Sequence, residues 1–151
     1  MGQSIAEVWI HIIFATKQRY PFLGSVAVRT EMHAYLAGAC KKLDCPARIV
    51  NGAADHVHLL CRLGRTVPIS SLILGIKRSS SKWIKPRGRM LTKFAWQTGY
   101  AAFGVSPSRL EAVERYIANQ EKHHHKTTFK EEVLSFLKEY DVKFDERYLW
   151  D

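Results

Sequence analysis

A chain of 151 residues with 46% hydrophobic content is one globular domain, 1–151, with a real core. It holds no apolar run long enough for a transmembrane helix, and Met1 to Ala6 lacks the basic-then-apolar order of a signal peptide, so a cytoplasmic, nucleoid-associated protein away from membranes is expected. The net charge of +9 lies in one place: His56 to Leu110 contains no Asp or Glu but ten Lys and Arg, while the remainder of the chain is close to neutral. Such a layout points to nucleic acid.

In chain order, Glu7 to Thr16 is rich in β-branched and aromatic residues and apolar on both faces, which predicts a central strand. A basic, proline-containing loop follows. Apolar residues then recur at three- and four-residue steps from Val28 to Leu43, predicting an amphipathic helix over 26–43. Pro46 to Gly52 reads as a second strand and His56 to Leu63 as its hairpin partner. A second helix is expected over 69–84, a bent or bulged strand over 94–105, and a third helix over about 108–123 opened by a Ser108/Glu111 capping box. A last amphipathic helix covers about 129–140. The order β-α-β-β-α-β followed by helices is a ferredoxin-like or RRM-like α+β fold, an antiparallel sheet with helices on one face and extra C-terminal helices. Cys40, Cys45 and Cys61 are odd in number and lack CxxC spacing, as expected of free thiols in a reducing compartment.

The chemistry concentrates in Asp55-His56-Val57-His58-Leu59-Leu60. Histidines at i and i+2 of a strand point to the same face, close enough to share a metal ion. Asp55 either caps the hairpin turn or hydrogen-bonds one histidine as an outer partner. Further on, Tyr116 and Gln120 stand four apart on the third helix and share a face, which His123 and His124 continue. Two imidazoles and the Gln120 amide oxygen would suit Mg²⁺ or Mn²⁺ with positions left for phosphate oxygens, and a tyrosine hydroxyl needs such help to act as a nucleophile near neutrality. Arg65, Lys77, Arg78, Lys82, Lys85, Arg87 and Arg89, interleaved with Trp83 and followed by Phe94 and Trp96, suit a single strand whose bases are unstacked. Blander readings stand beside these: HxH histidines packed in a core, Tyr116 at the edge of an apolar stripe, Trp83 buried on its helix.

These residues resemble a known family. The Asp55–Leu60 stretch is similar to the HUH motif (U hydrophobic) of single-tyrosine transposases of the IS-two-hundred/IS-six-hundred-and-five group, and Tyr116-Ile117-Ala118-Asn119-Gln120 is similar to their YIxxQ helix. Trp9 to Lys17 resembles their first strand, and Trp96 to Tyr100 the strand before the tyrosine helix. The resemblance implies Tyr116 as nucleophile, His56, His58 and Gln120 as metal ligands, and single-stranded DNA with hairpins as substrate. It also implies a 5′-phosphotyrosine intermediate, and a homodimer in which the tyrosine helix packs against the partner's histidines, swinging near Val105 to Ser108. Two other readings use the same residues: a non-catalytic RRM-like module for single-stranded nucleic acid, and a metal-dependent nuclease that activates water at His56 and His58.

Overall fold

The computed structural model describes residues 2–120 and 127–150. Its sheet is built from β1 (Val8–Ala15), β2 (Ala47–Gly52), β3 (His56–Leu63) and β4 (Ala101–Val105). All pairings are antiparallel and the strand order is β2-β3-β1-β4. The helices are α1 (Val26–Lys42), α2 (Ile69–Ile84), α3 (Leu110–Ala118), α4 (Phe129–Glu139) and the single turn α5 (Glu146–Leu149). This is the expected ferredoxin-like α+β arrangement.

The central strands are apolar on both faces because both faces are covered. Ile10, Ile12 and Phe14 of β1 and Val57, Leu59 and Cys61 of β3 pack under α1 and α2, against Met32, Leu36, Leu72 and Ile76. Alternate residues point the other way. There Ile13 and Ala15 meet Phe129, Val133 and Leu137 of α4, and Leu60 meets Leu110 and Ile117 of α3. The C-terminal helices thus roof the second face, and His56 and His58 lie beneath that roof. Gly52 lets the β2–β3 hairpin close immediately before His56: a Cβ there would stand 2.2 Å from the His56 carbonyl oxygen. Cys40, Cys45 and Cys61 are free and buried.

Two segments depart from the sequence expectation. Only Ala101–Val105 of the 94–105 stretch is strand; upstream, Thr16 and Trp96 form an isolated bridge. The cause is local competition for backbone groups. The Gln97 side chain accepts from the Ala15 N–H at 2.6 Å, and the Lys77 ammonium donates to the carbonyls of Gln97, Thr98 and Gly99. Those carbonyls therefore answer to a lysine instead of a neighbouring strand.

The capping box is absent as well. Pro107–Arg109 forms a 3₁₀ turn, Arg109 precedes α3 without a side-chain cap, and the Ser108 hydroxyl meets Ser106 Oγ at 3.1 Å. α3 also stops at Ala118 instead of reaching 123, with the Asn119 N–H turned back to the carbonyls of Arg115 and Tyr116. His123 and His124 lie outside the described residues.

The end of α3 is tied to the sheet by Asn51, whose Nδ2 donates to the carbonyls of Ile117 at 2.9 Å and Ala118 at 3.3 Å. These are among the last helix carbonyls, which have no intrahelical partner. Arg48 adds an ion pair to Glu114. Asn51→Ala should cost about 1 kcal/mol, seen as a lower midpoint in urea unfolding. An unchanged midpoint would show that the apolar stripe alone holds α3.

Candidate active site at the covered face of the sheet

His56 and His58 sit on the same face of β3, both completely buried. Each has one ring nitrogen engaged behind it. The Nδ1 of His56 lies 2.8 Å from Asp55 Oδ1, and the Nδ1 of His58 lies 2.8 Å from His11 Nε2. Asp55 is thus a partner of the histidine, resolving the choice the sequence left open. His11 reaches His58 because β1 residue Ile13 is opposite His58 and His11 is the diagonal neighbour on that face. Burial, then the neighbouring His58, lower the His11 pKa to about 3, so its ring is neutral and can accept from His58. Read from this network, both Nδ1 atoms carry protons and both Nε2 atoms face forward.

The forward nitrogens converge on a carboxylate from α4. Glu132 Oε2 lies 3.1 Å from His58 Nε2 and 3.3 Å from His56 Nε2. Gln120 Oε1 lies 3.2 Å from the same His56 nitrogen. The other oxygen of Glu132 accepts from the Tyr116 hydroxyl at 2.8 Å. One carboxylate therefore links the histidine pair to the tyrosine. Burial alone would raise the Glu132 pKa, but hydrogen bonds to His56 and His58 outweigh it and hold the carboxyl well below its usual range. Burial likewise opposes charge on His56, yet its bonds to Asp55 and Glu132 raise it to about 9. The Tyr116 phenol is pushed up by burial and by the adjacent Glu132 charge. It is a protonated donor in this arrangement.

The donors fit a divalent cation. Ligand atoms of His56, His58 and Glu132 all lie within 4.8 Å of one another. Gln120 is fully buried, and its Nε2 finds no hydrogen-bond partner among the described residues. The Gln120 side chain also opposes the rise of the Tyr116 pKa, so the amide stands between the phenol and His56 with its oxygen toward the histidine. Two imidazoles, a carboxylate and an amide oxygen form a mixed set that oxygen-preferring cations accept. Beside them a cleft of about 290 Å³ opens between α3 and α4, lined by His11, Arg109, Tyr116, Glu132 and Tyr140 among others.

The structure brings Tyr116, His56, His58 and Gln120 together as the sequence suggests, with one difference in how. Because α3 ends at Ala118, Gln120 is placed by the turn at Asn119, not by helical continuity. Glu132 and His11 were not singled out from the sequence. Both left a trace: Glu132 falls between Phe129 and Val133, Phe136 and Leu137 on the inward side of α4, and His11 interrupts an apolar strand.

The basic residues lie elsewhere. Apart from Arg65, in the turn between β3 and α2, they belong to α2 and the loop after it, on the opposite layer of the sheet. Arg65, Arg78, Lys82 and Arg89 are exposed. Lys77 is capped by three carbonyls, and burial lowers its pKa to about 8. Lys85 is bound to Ser81 and to the Phe94 carbonyl, and Arg87 stacks 4.0 Å over Trp83. Trp83 itself stacks on Tyr35, while Phe94 and Trp96 are core residues, the Trp96 Nε1–H donating to Ser80.

Comparison with known proteins places the chain in a class. The family described as "Transposase IS200 like" matches residues 4–120, and the chain belongs to that transposase family. A candidate transposase from Deinococcus radiodurans R1 has the same fold, with a TM-score of 0.64 and 21% identity over 80% of this chain and 96% of that one. A REP-associated tyrosine transposase, solved bound to a REP hairpin, aligns with a TM-score of 0.57 and 12% identity over 82% of this chain and 74% of its own. No curated protein matches the sequence.

If Glu132 is a ligand, Glu132→Ala should weaken Mn²⁺ binding by about tenfold or more in calorimetric titration. Equal affinity in the variant would remove the carboxylate from the metal site.

Proposed function

We propose that the protein cleaves and rejoins single-stranded DNA at hairpin-marked element ends through a 5′-phosphotyrosine intermediate on Tyr116. The observation that carries this reading is the Tyr116 hydroxyl, 2.8 Å from a carboxylate whose other oxygen touches both HUH histidines. A nuclease working through activated water, or a binding module, has no need of that link. The family match and the hairpin bound to the structural neighbour support a DNA hairpin as the recognition element.

In the proposed reaction the Tyr116 oxygen attacks phosphorus in line with the 3′ oxygen. The new O–P bond forms as the P–O3′ bond breaks; the phenolic proton is lost to solvent in the cleft that Tyr116 lines, and the departing 3′ oxygen takes a proton from solvent. Rejoining is the reverse attack by a 3′-OH on the phosphotyrosine. His56, His58, Gln120 and Glu132 would hold Mg²⁺ or Mn²⁺, which supplies Lewis acidity at the scissile phosphate. Asp55 and His11 hold the two Nδ1 atoms, so that a cation displacing the Nε2 protons would meet both Nε2 atoms facing forward. Glu132 holds the tyrosine oxygen at the edge of this donor set, so that attack begins from a positioned hydroxyl.

The resemblance implies homodimers with the tyrosine helix contributed in trans. Here α3 packs on β2 and β3 of its own chain, which supports a site completed in cis. The DNA footprint is proposed on exposed Arg65, Arg78, Lys82 and Arg89. Arg87, also exposed, extends this footprint, while Lys77 and Lys85 are bound to loop carbonyls.

Tyr116→Phe should abolish a metal-dependent covalent adduct with labelled hairpin-bearing single-stranded DNA on a denaturing gel, while hairpin affinity stays within about twofold, since only the nucleophilic oxygen is lost. Cutting that persists in the variant would move the assignment to hydrolysis. Replacing Arg78, Lys82 and Arg89 together by Gln should lower the slope of log affinity against log salt by about 2. An unaltered slope would take α2 out of the footprint.

A further inference from the structure

The catalytic residues and the exposed basic residues of α2 and the loop after it lie on opposite layers of the sheet, so one DNA strand touching both must pass round an edge or an end. At the His56 end of the sheet two adjoining clefts make such a passage. One, of about 400 Å³, is lined by Lys17, Gln18, Tyr20, Phe22, Met90 and Lys93. The other, of about 380 Å³, includes Gln97, Thr98 and Trp150. They share Lys17, Gln18 and Ala95.

The clefts adjoin the Asp55–His56 corner of the site. The Thr16 N–H donates to the Asp55 carbonyl at 2.8 Å, one residue before His56, and the Lys17 N–H donates to the Ala95 carbonyl at 2.9 Å. The Trp150 ring lies 6.2 Å from Phe129, which lies 5.1 Å from His56. On the far side the first cleft is bounded by the Met90–Ala95 stretch, just after Arg87 and Arg89 on the basic loop.

Its chemistry fits unpaired nucleotides. None of the lining residues is acidic, and Lys17 and Lys93 are exposed cations. Tyr20 is 48% exposed and Met90 67%, so apolar faces stand in solvent beside these charges. Backbone cations with an accessible ring suit a strand whose bases are free to stack, whereas a duplex hides those faces. Gln18 and Arg19 both adopt left-handed backbone angles, φ 55°, a costly conformation for side-chain-bearing residues in the Lys17–Tyr20 loop that borders the clefts.

We propose that these joined clefts bind the unpaired nucleotides next to the scissile phosphate, with one base against Tyr20 and phosphates near Lys17 and Lys93, leading the strand from Tyr116 round to the basic layer. The inference rests on the single-strand DNA reading above and assigns that substrate a path. The test compares a DNA hairpin with and without a short unpaired tail, the tail carrying 2-aminopurine, in fluorescence anisotropy and quenching titrations.

Wild type should prefer the tailed hairpin and quench the probe. Tyr20→Ala should lose about tenfold of the tail-dependent affinity and most of the quenching, with affinity for the tailless hairpin unchanged. The double variant Lys17→Gln/Lys93→Gln should lose tail affinity while retaining quenching at saturation. If wild type prefers the tailed hairpin and both variants match it, the clefts are not the path. Equal losses on tailed and tailless hairpins would also overturn the assignment. Failure of wild type to bind any tailed hairpin would instead contradict the functional reading itself, and the path with it.

Discussion

A carboxylate with only 4% of its surface exposed must be paired, because an isolated buried charge is prohibitively costly. Glu132 is paired three times over, to His56, His58 and Tyr116. The consequences run through the second face of the sheet. α4 is amphipathic with its carboxylate turned inward, so docking the helix also delivers the acid. α3 must then present Tyr116 within hydrogen-bond reach, and Asn51 on β2 helps to hold it there. His11 and Asp55 stand behind the two histidines and hold their rings so that the same atoms face forward. Remove the carboxylate and the packing would persist, but nucleophile and ligands would no longer be parts of one network.

The sheet separates two tasks. Under α1 and α2 the core is apolar but for Ser80, which accepts from Trp96, and outside it lie the exposed cations of α2. Under α3 and α4 the core is interrupted by a polar cluster of seven side chains whose donors and acceptors nearly all find one another. Polar networks of this kind are stable only when their geometry is satisfied, and here the Gln120 Nε2 is the exception, at the point where its oxygen approaches His56. An exception of that sort is expected where arrangement serves chemistry more than stability.

Strand periodicity made the histidine pair legible, since i and i+2 on β3 could only share a face, and the three- and four-residue apolar steps gave α1, α2 and α4 nearly to their ends. Other features turn on tertiary competition. Lys77 reads as a solvated cation, yet the loop 97–99 has no strand partner and its carbonyls draw the ammonium inward. Trp96 reads as a stacking platform, yet Ser80 offers its indole nitrogen a buried acceptor. Glu132 was hidden because an acid on an amphipathic helix ordinarily faces water, and only the two buried imidazoles opposite make its inward placement favourable. Ser108 and Glu111 have the spacing of a capping box, but Pro107 starts a 3₁₀ turn that shifts the helix start past the serine.

In the proposed function one chain carries the whole site. The most direct test mixes two inactive variants, Tyr116→Phe and His56→Ala, and asks for the covalent DNA adduct on a denaturing gel with Mn²⁺ present. A site built in cis predicts no adduct from the mixture at any ratio, with wild type alone forming it. An adduct that appears on mixing would show that the tyrosine of one chain works with the histidines of another, and would contradict the account.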